Sequence, residues 1–275
     1  MKQTAITIAK FILFFFGWAI FVGVLPLIEF MQPSVWRLWA EFMPFLAMLI
    51  FTLLFWFMDR KTIRLACFNN PLKSILIAVV TGVLWIGSTV IVMKLMGVIR
   101  FEGRNEVPML IVWILAVFLN VVMQELLVRG YLYQMIKQRH SIYAAAFVTT
   151  ALFTVLHGGA FEAGIIPVLN VITMSLLMTV ILEYTGSLIA PVIMHFIWNG
   201  VGAVILGGVN LAEDYPHLLN MVFEGNELLS GGSCKIEGSI VVLALNIILI
   251  AFFLYDVLIA NIRESGMVKH GGSHE

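Results

Sequence analysis

Long apolar runs separated by short polar or glycine-bearing breaks set the rhythm of this chain. A run of eighteen or more apolar residues is the length a helix needs to cross a bilayer. Eight membrane helices are predicted, seven of them at least that long: Ala5–Phe30, Trp36–Met58, Ser74–Gly97, Val107–Gly130, the shorter Ile142–His157, Gly164–Tyr184, Leu188–Leu206 and Ser239–Ile262. Pro108 suits a helix start, and Gly158-Gly159 and Gly186 suit helix ends. Tyr131–His140 turns amphipathic and basic and reads as an interfacial continuation of the fourth helix. Gly207–Gly238 is a polar, glycine-rich loop. The first run is too long for the apolar region of a signal peptide and reads as a retained helix. Met43-Pro44 and Pro167 read as kinks.

Composition sharpens this pattern into a class. The 275 residues are 61% hydrophobic and 12% charged, about half the charge of an ordinary soluble domain. The prediction is an all-α polytopic membrane protein. Three regions follow: helices 1–3 over 1–106, a core of helices 4–7 over 107–206, and an external loop with helix 8 and a tail over 207–275. The 16 basic and 16 acidic residues cancel, so charge gives no argument for nucleic acid. With eight helices both termini share a side. Placing them inside puts Lys2, Lys10, Arg60, Lys61, Arg64, Lys73, Lys137, Arg139, Arg263 and Lys269 inside. Only Arg37, Lys94, Arg100, Arg104 and Lys235 then fall outside. By the basic bias of inner loops the termini are cytoplasmic. This is the expected arrangement in a cell membrane, most simply a prokaryotic plasma membrane. Cys67 and Cys234 fall on opposite sides and are not expected to pair. His270 and His274 lie in a glycine-rich tail and read as disordered rather than as ligands.

Chemistry enters where polar residues interrupt apolar helices. A charge there costs about 3 kcal/mol on insertion scales and is a functional-site candidate by default. The fourth helix carries Gln124-Glu125-Leu126-Leu127-Val128-Arg129. Glu125 and Arg129 are four apart, share a face and can pair. Asn120 lies on the Gln124 face. Phe153 and His157 share a face of the fifth helix, and His195 and Asn199 a face of the seventh. A lone membrane histidine is commonly an interhelical hydrogen bonder. Two histidines, a carboxylate, an arginine and an asparagine together are what a hydrolytic cavity would gather. Glu183 reads as a solvated interface residue, Asn170 and Asn246 as interhelical hydrogen bonders, and Trp198 as packing.

The ordered set Gln-Glu-x-x-x-Arg, Phe-x-x-x-His, His-x-x-x-Asn resembles the CPBP (Abi, CAAX prenyl protease-like) intramembrane proteases. The flanks Arg129-Gly130-Tyr131-Leu132 and Thr185-Gly186-Ser187-Leu188-Ile189-Ala190-Pro191 belong to the same resemblance, which covers roughly Pro108–Gly202. It implies an endopeptidase that cleaves a membrane-associated or lipidated peptide, for peptide processing or bacteriocin self-immunity. It also implies a cavity open to the cytosol. There the first acid and His157 would activate water, and His195 and Asn199 would form an oxyanion hole.

Gln124 stands where the resemblance expects the first glutamate, and an amide cannot take a proton from water. Glu125 could take over as base, although it lies about 100° round the helix. The chain could instead be a non-catalytic relative, a membrane scaffold binding a membrane protein partner. Glutamine could also be an introduced substitution. Catalytic candidates are therefore Gln124, Glu125, His157, His195 and Asn199, with Glu125–Arg129 as a structural pair. No obligatory metal is expected. Zinc at His157 and His195 is disfavoured because each pairs with Phe or Asn, not with a histidine four residues away. The inverted repeats and broken helix pairs of a transporter are not visible. One difficulty stands. At about 1.5 Å per residue, the predicted helix starts put Gln124 and His157 more than about 10 Å apart in depth.

Overall fold

The computed structural model describes residues 2–26, 28–211 and 214–270, without the side chains of 258 and 260–270. His274 and the side chain of His270 therefore lie outside the described residues. In chain order the elements are α1 (Lys2–Gly23), α2 (Pro33–Met58), α3 (Pro71–Leu95), β1 (Ile99–Arg104), α4 (Leu110–Glu125), α5 (Tyr131–Arg139) and α6 (Ile142–Leu156). There follow α7 (Gly159–Ala163), α8 (Ile165–Thr185), α9 (Ile189–Asn199), β2 (Leu219–Phe223), α10 (Glu227–Ser230) and α11 (Ile240–His270). Among the described residues six helical stretches are long and apolar enough to cross a membrane. Two shorter apolar ones, Ile142–Leu156 and Ile189–Ile205, complete the predicted eight. The protein is an all-α polytopic membrane protein.

Local sequence explains most boundaries. Pro33 and Pro71 open α2 and α3, where a missing N–H costs nothing. The Ser141 hydroxyl caps α6 by accepting from the Ala144 amide at 3.1 Å. Gly186 closes α8 with a left-handed φ of 64°, which glycine adopts without strain. Pro167 lies in the first turn of α8, so the kink expected there is instead a helix start. Pro44 does lie inside α2, and the Trp18 indole donates to its carbonyl at 3.2 Å.

The fourth membrane segment departs from expectation. It does not stop at Gly130. A π-helical turn over Leu126–Gly130 joins α4 to α5, making one apolar stretch from Leu110 to Arg139. Tyr131–Ile136 is buried in the protein, and its polar groups find partners. The Tyr131 hydroxyl donates to Asp59 at 2.6 Å, and Arg139 and Lys10 also bind Asp59. Tyr133 and Lys137 donate to Glu183 at 3.0 and 2.7 Å, so Glu183 is paired and not simply solvated.

Packing runs α2 along α4, α3 along α9 and α8 along α11. One apolar core surrounds the α4–α5 stretch and includes Phe14, Met48, Phe55, Leu127 and Phe153. The other lies among α3, α8, α9 and α11, where Trp85 and Trp198 stack at 4.0 Å between centroids. Asn170 donates to the carbonyls of Glu237 and Ser239, and Asn246 to the Thr173 hydroxyl. Leu13, Ile20, Leu84, Ile91, Ile248 and Phe252 are more than half exposed, an outward apolar surface suited to lipid. The loops opposite the termini carry structure not anticipated from sequence. Strands β1 and β2 pair antiparallel, with Ile99 opposite Phe223 and Phe101 opposite Met221.

Candidate active site

Helix length brings the motif residues level. His157 lies fifteen residues beyond Ile142, and Gln124 lies fifteen before Arg139. Because α4 and α5 run on to Arg139, the chain turns back there and α6 climbs about 22 Å at 1.5 Å per residue. His157, the residue that ends α6, therefore arrives at the depth of Gln124. The predicted mismatch came from ending the fourth helix at Gly130.

Between the two cores lies a cavity of about 650 Å³ lined by Gln124, His157, His195 and Asn199. Glu125 and Arg129 are wholly buried beside it. One guanidinium nitrogen of Arg129 donates to both Glu125 oxygens, at 3.0 and 2.8 Å. The other donates to the Ser175 carbonyl and hydroxyl at 2.7 and 3.0 Å. The pair expected from i, i+4 spacing is thus formed and anchored to α8. Glu125 also does more than pair. Its Oε1 lies 2.8 Å from His195 Nδ1.

Hydrogen-bond chemistry assigns the tautomers. A carboxylate paired with arginine offers only acceptors, so His195 Nδ1 carries a proton and donates it to Glu125. Asn199 Nδ2 lies 3.2 Å from His195 Nε2, and an amide nitrogen only donates. In this orientation of the amide the Nε2 of His195 accepts from Asn199. The second Asn199 N–H remains for another acceptor. His157 Nδ1 lies 2.8 Å from the Phe153 carbonyl, which also fixes a proton on Nδ1. Its Nε2 lone pair takes no partner among the described residues. Phe153 holds the group together. Its ring stands 4.2 Å from that of His157 and 6.0 Å from that of His195, with Arg129 over its face at 5.3 Å. Two π-helical turns, Leu126–Gly130 and Gly200–Ile205, directly follow Glu125 and Asn199, a placement common at functional sites.

Gln124 lines the cavity but does not touch these groups. Its nitrogen donates to Asn120 Oδ1 at 2.6 Å, and Asn120 donates to Glu41 of α2 at 2.8 Å. Glu41, Tyr215 and Trp18 line the cavity too, and sequence reasoning passed them over. Glu41 had a signal: an acid eight residues into an apolar helix deserved the attention given to Glu125. Tyr215 and Trp18 had none. Among the described residues no group of three His, Cys, Asp or Glu side chains gathers as metal ligands.

Gly159, Ala160 and Ala163 of α7 and Asn210, Leu211, Cys234 and Glu237 of the loop after α9 also line the cavity, at the helix ends opposite Lys2.

Residues 106–201 match the family of type II CAAX prenyl endopeptidase Rce1-like proteins. The matched segment contains Gln124, Glu125, Arg129, His157, His195 and Asn199, so the CAAX protease-like resemblance of the three motifs is shown across it. Comparison with curated proteins and with solved structures gave no match in either.

Proposed function

We propose that this protein is an intramembrane endopeptidase, acting on a membrane-associated or lipidated peptide that enters the cavity. The observation that carries the reading is the Glu125–His195–Asn199 chain of hydrogen bonds facing a second histidine with an unengaged Nε2. In this reading His157 Nε2 takes a proton from the attacking water and returns it to the leaving amine. Asn199 offers its spare N–H to the oxyanion, an interaction worth about 3 kcal/mol in a dry site. Glu125 holds His195 in one tautomer, and His195 in turn holds the Asn199 amide. The role of base passes from the amide at 124 to a histidine, so glutamine there is compatible with turnover. The basic bias of the loops favours cytoplasmic termini. The loop that lines the cavity then lies on the outer face of a cell membrane.

A non-catalytic scaffold that binds a membrane protein through the same cavity is the other reading, and Gln124 is the observation behind it. Purified protein in lipid nanodiscs, incubated with a prenylated peptide and followed by mass spectrometry, separates the two. The peptidase reading expects a discrete cleavage product that grows with time. Binding of the peptide with no product would establish the scaffold reading instead.

A further inference from the structure

Glu41, Asn120 and Gln124 form a chain whose hydrogen bonds all point one way. Glu41 is 8% exposed and sits on α2, outside the segment that matches the protease family. Its Oε1 accepts from Arg37 at 3.2 Å and from the Tyr215 hydroxyl at 3.4 Å. Its Oε2 accepts from Asn120 Nδ2 at 2.8 Å. Held by an arginine, this carboxylate has no proton to offer, so the Asn120 nitrogen must face it. The Asn120 oxygen then faces α4's next turn and requires a donor there. Gln124 supplies one, Nε2 at 2.6 Å. Among the described residues Gln124 Oε1 is left buried with no partner, an unmet acceptor in a residue lining the cavity. Such a group is costly to bury unless something donates to it.

An ionised glutamate at 124 would not fit this chain. Its carboxylate would meet Asn120 Oδ1, acceptor against acceptor, and a second anion would stand one amide away from Glu41. Turning Asn120 over only moves the clash to Glu41. We infer that Glu41, acting through Asn120, is a positioning residue that specifies glutamine at 124 and fixes its oxygen as an acceptor for a water or a peptide N–H in the cavity. The acid expected on α4 is thus present in the cavity wall, but on α2. Gln124 is the residue this site is built around.

The arrangement has a mirror image that makes it testable. With Glu41→Gln and Gln124→Glu together, Asn120 turns over, donates to the new carboxylate and accepts from the new amide. Gln124→Glu alone should lower the melting temperature by a few degrees and reduce turnover of the prenylated peptide at least tenfold. Glu41→Gln alone should also lower the melting temperature, because Asn120 then keeps a donor facing an amide of undefined orientation. The double variant should regain most of the melting temperature and bring turnover back to within a few-fold of wild type. The same exchange in an Asn120→Ala background should show no such rescue. A stable and active Gln124→Glu single variant, or a double variant that is merely additive or does not fold, would overturn the inference. The turnover arm rests on the peptidase reading and the melting arm does not. If all four proteins are inactive while the melting cycle still shows rescue, the peptidase reading fails and the positioning role of Glu41 stands.

Discussion

Glu125 serves two partners with one carboxylate, and that decides what its loss should do. Arg129 is wholly buried and donates two hydrogen bonds to it. Removing one member of a buried pair costs about 3–5 kcal/mol because the other charge is stranded. Glu125→Gln should therefore lower the melting temperature strongly, and it should also release His195 from its tautomer. His157→Ala should do neither, since among the described residues the His157 ring hydrogen-bonds only within its own helix, at Phe153. Melting curves of both variants check this. A Glu125→Gln protein as stable as wild type would mean that the buried pair contributes little. The Glu125–Arg129 contact was legible in the sequence because spacing on one helix determines it. The Glu125–His195 contact was not, because it joins α4 to α9 across 70 residues, and no periodicity encodes which helices meet.

At the scale of elements, the junction of α4 and α5 shows both the reach and the limit of pattern reading. Gly130 and the basic residues after it looked like the end of a membrane helix. What continues the helix is tertiary: Asp59, at the end of α2, gathers Tyr131, Arg139 and Lys10. Burial pushes the Asp59 carboxyl up, but Lys10, Tyr131 and Arg139 outweigh it and hold the group below its ordinary value. A carboxyl depressed in the folded state stabilises the fold above its unfolded pKa, and that stability is lost as pH falls through the folded value. Melting temperature should thus be flat near neutrality with respect to this group and decline below about pH 4. Asp59→Asn should melt lower at pH 7 and show a smaller decline on acidification. An Asp59→Asn protein with the wild-type pH dependence would remove Asp59 from the account. The eight apolar helices were legible because each is a long run of one character. Strands β1 and β2 were not, being five or six residues of mixed polarity inside stretches that read as loop.

For the whole molecule, the loop residues that line the cavity and the start of α1 lie at opposite ends of the helices. The two cysteines report on those ends, since Cys234 lines the cavity and Cys67 lies between α2 and α3 at the other end. Burial pushes the Cys67 thiol up, so it should react slowly even where reagent has access. With cytoplasmic termini, an impermeant maleimide added to right-side-out vesicles should label Cys234, and Cys67 should label only in inverted vesicles. The reverse pattern would put the cavity-lining loop in the cytosol and contradict the basic bias. The composition of the cavity wall was only partly legible. Its floor follows from three motifs, whereas Trp18, Glu41 and Tyr215 come from outside them through the packing of α1, α2 and the outer loop.

The central claim is that His157 and His195 act in one hydrolytic site. Turnover of a prenylated peptide by wild type, His157→Ala and His195→Ala in nanodiscs tests it directly, with melting curves to show that each variant is folded. General-base catalysis contributes about 10²–10⁴-fold, so His157→Ala should fall by that factor with its fold intact. His195→Ala should fall comparably, because Asn199 loses the partner that orients its amide. Cleavage by both folded variants at the wild-type rate would contradict the account.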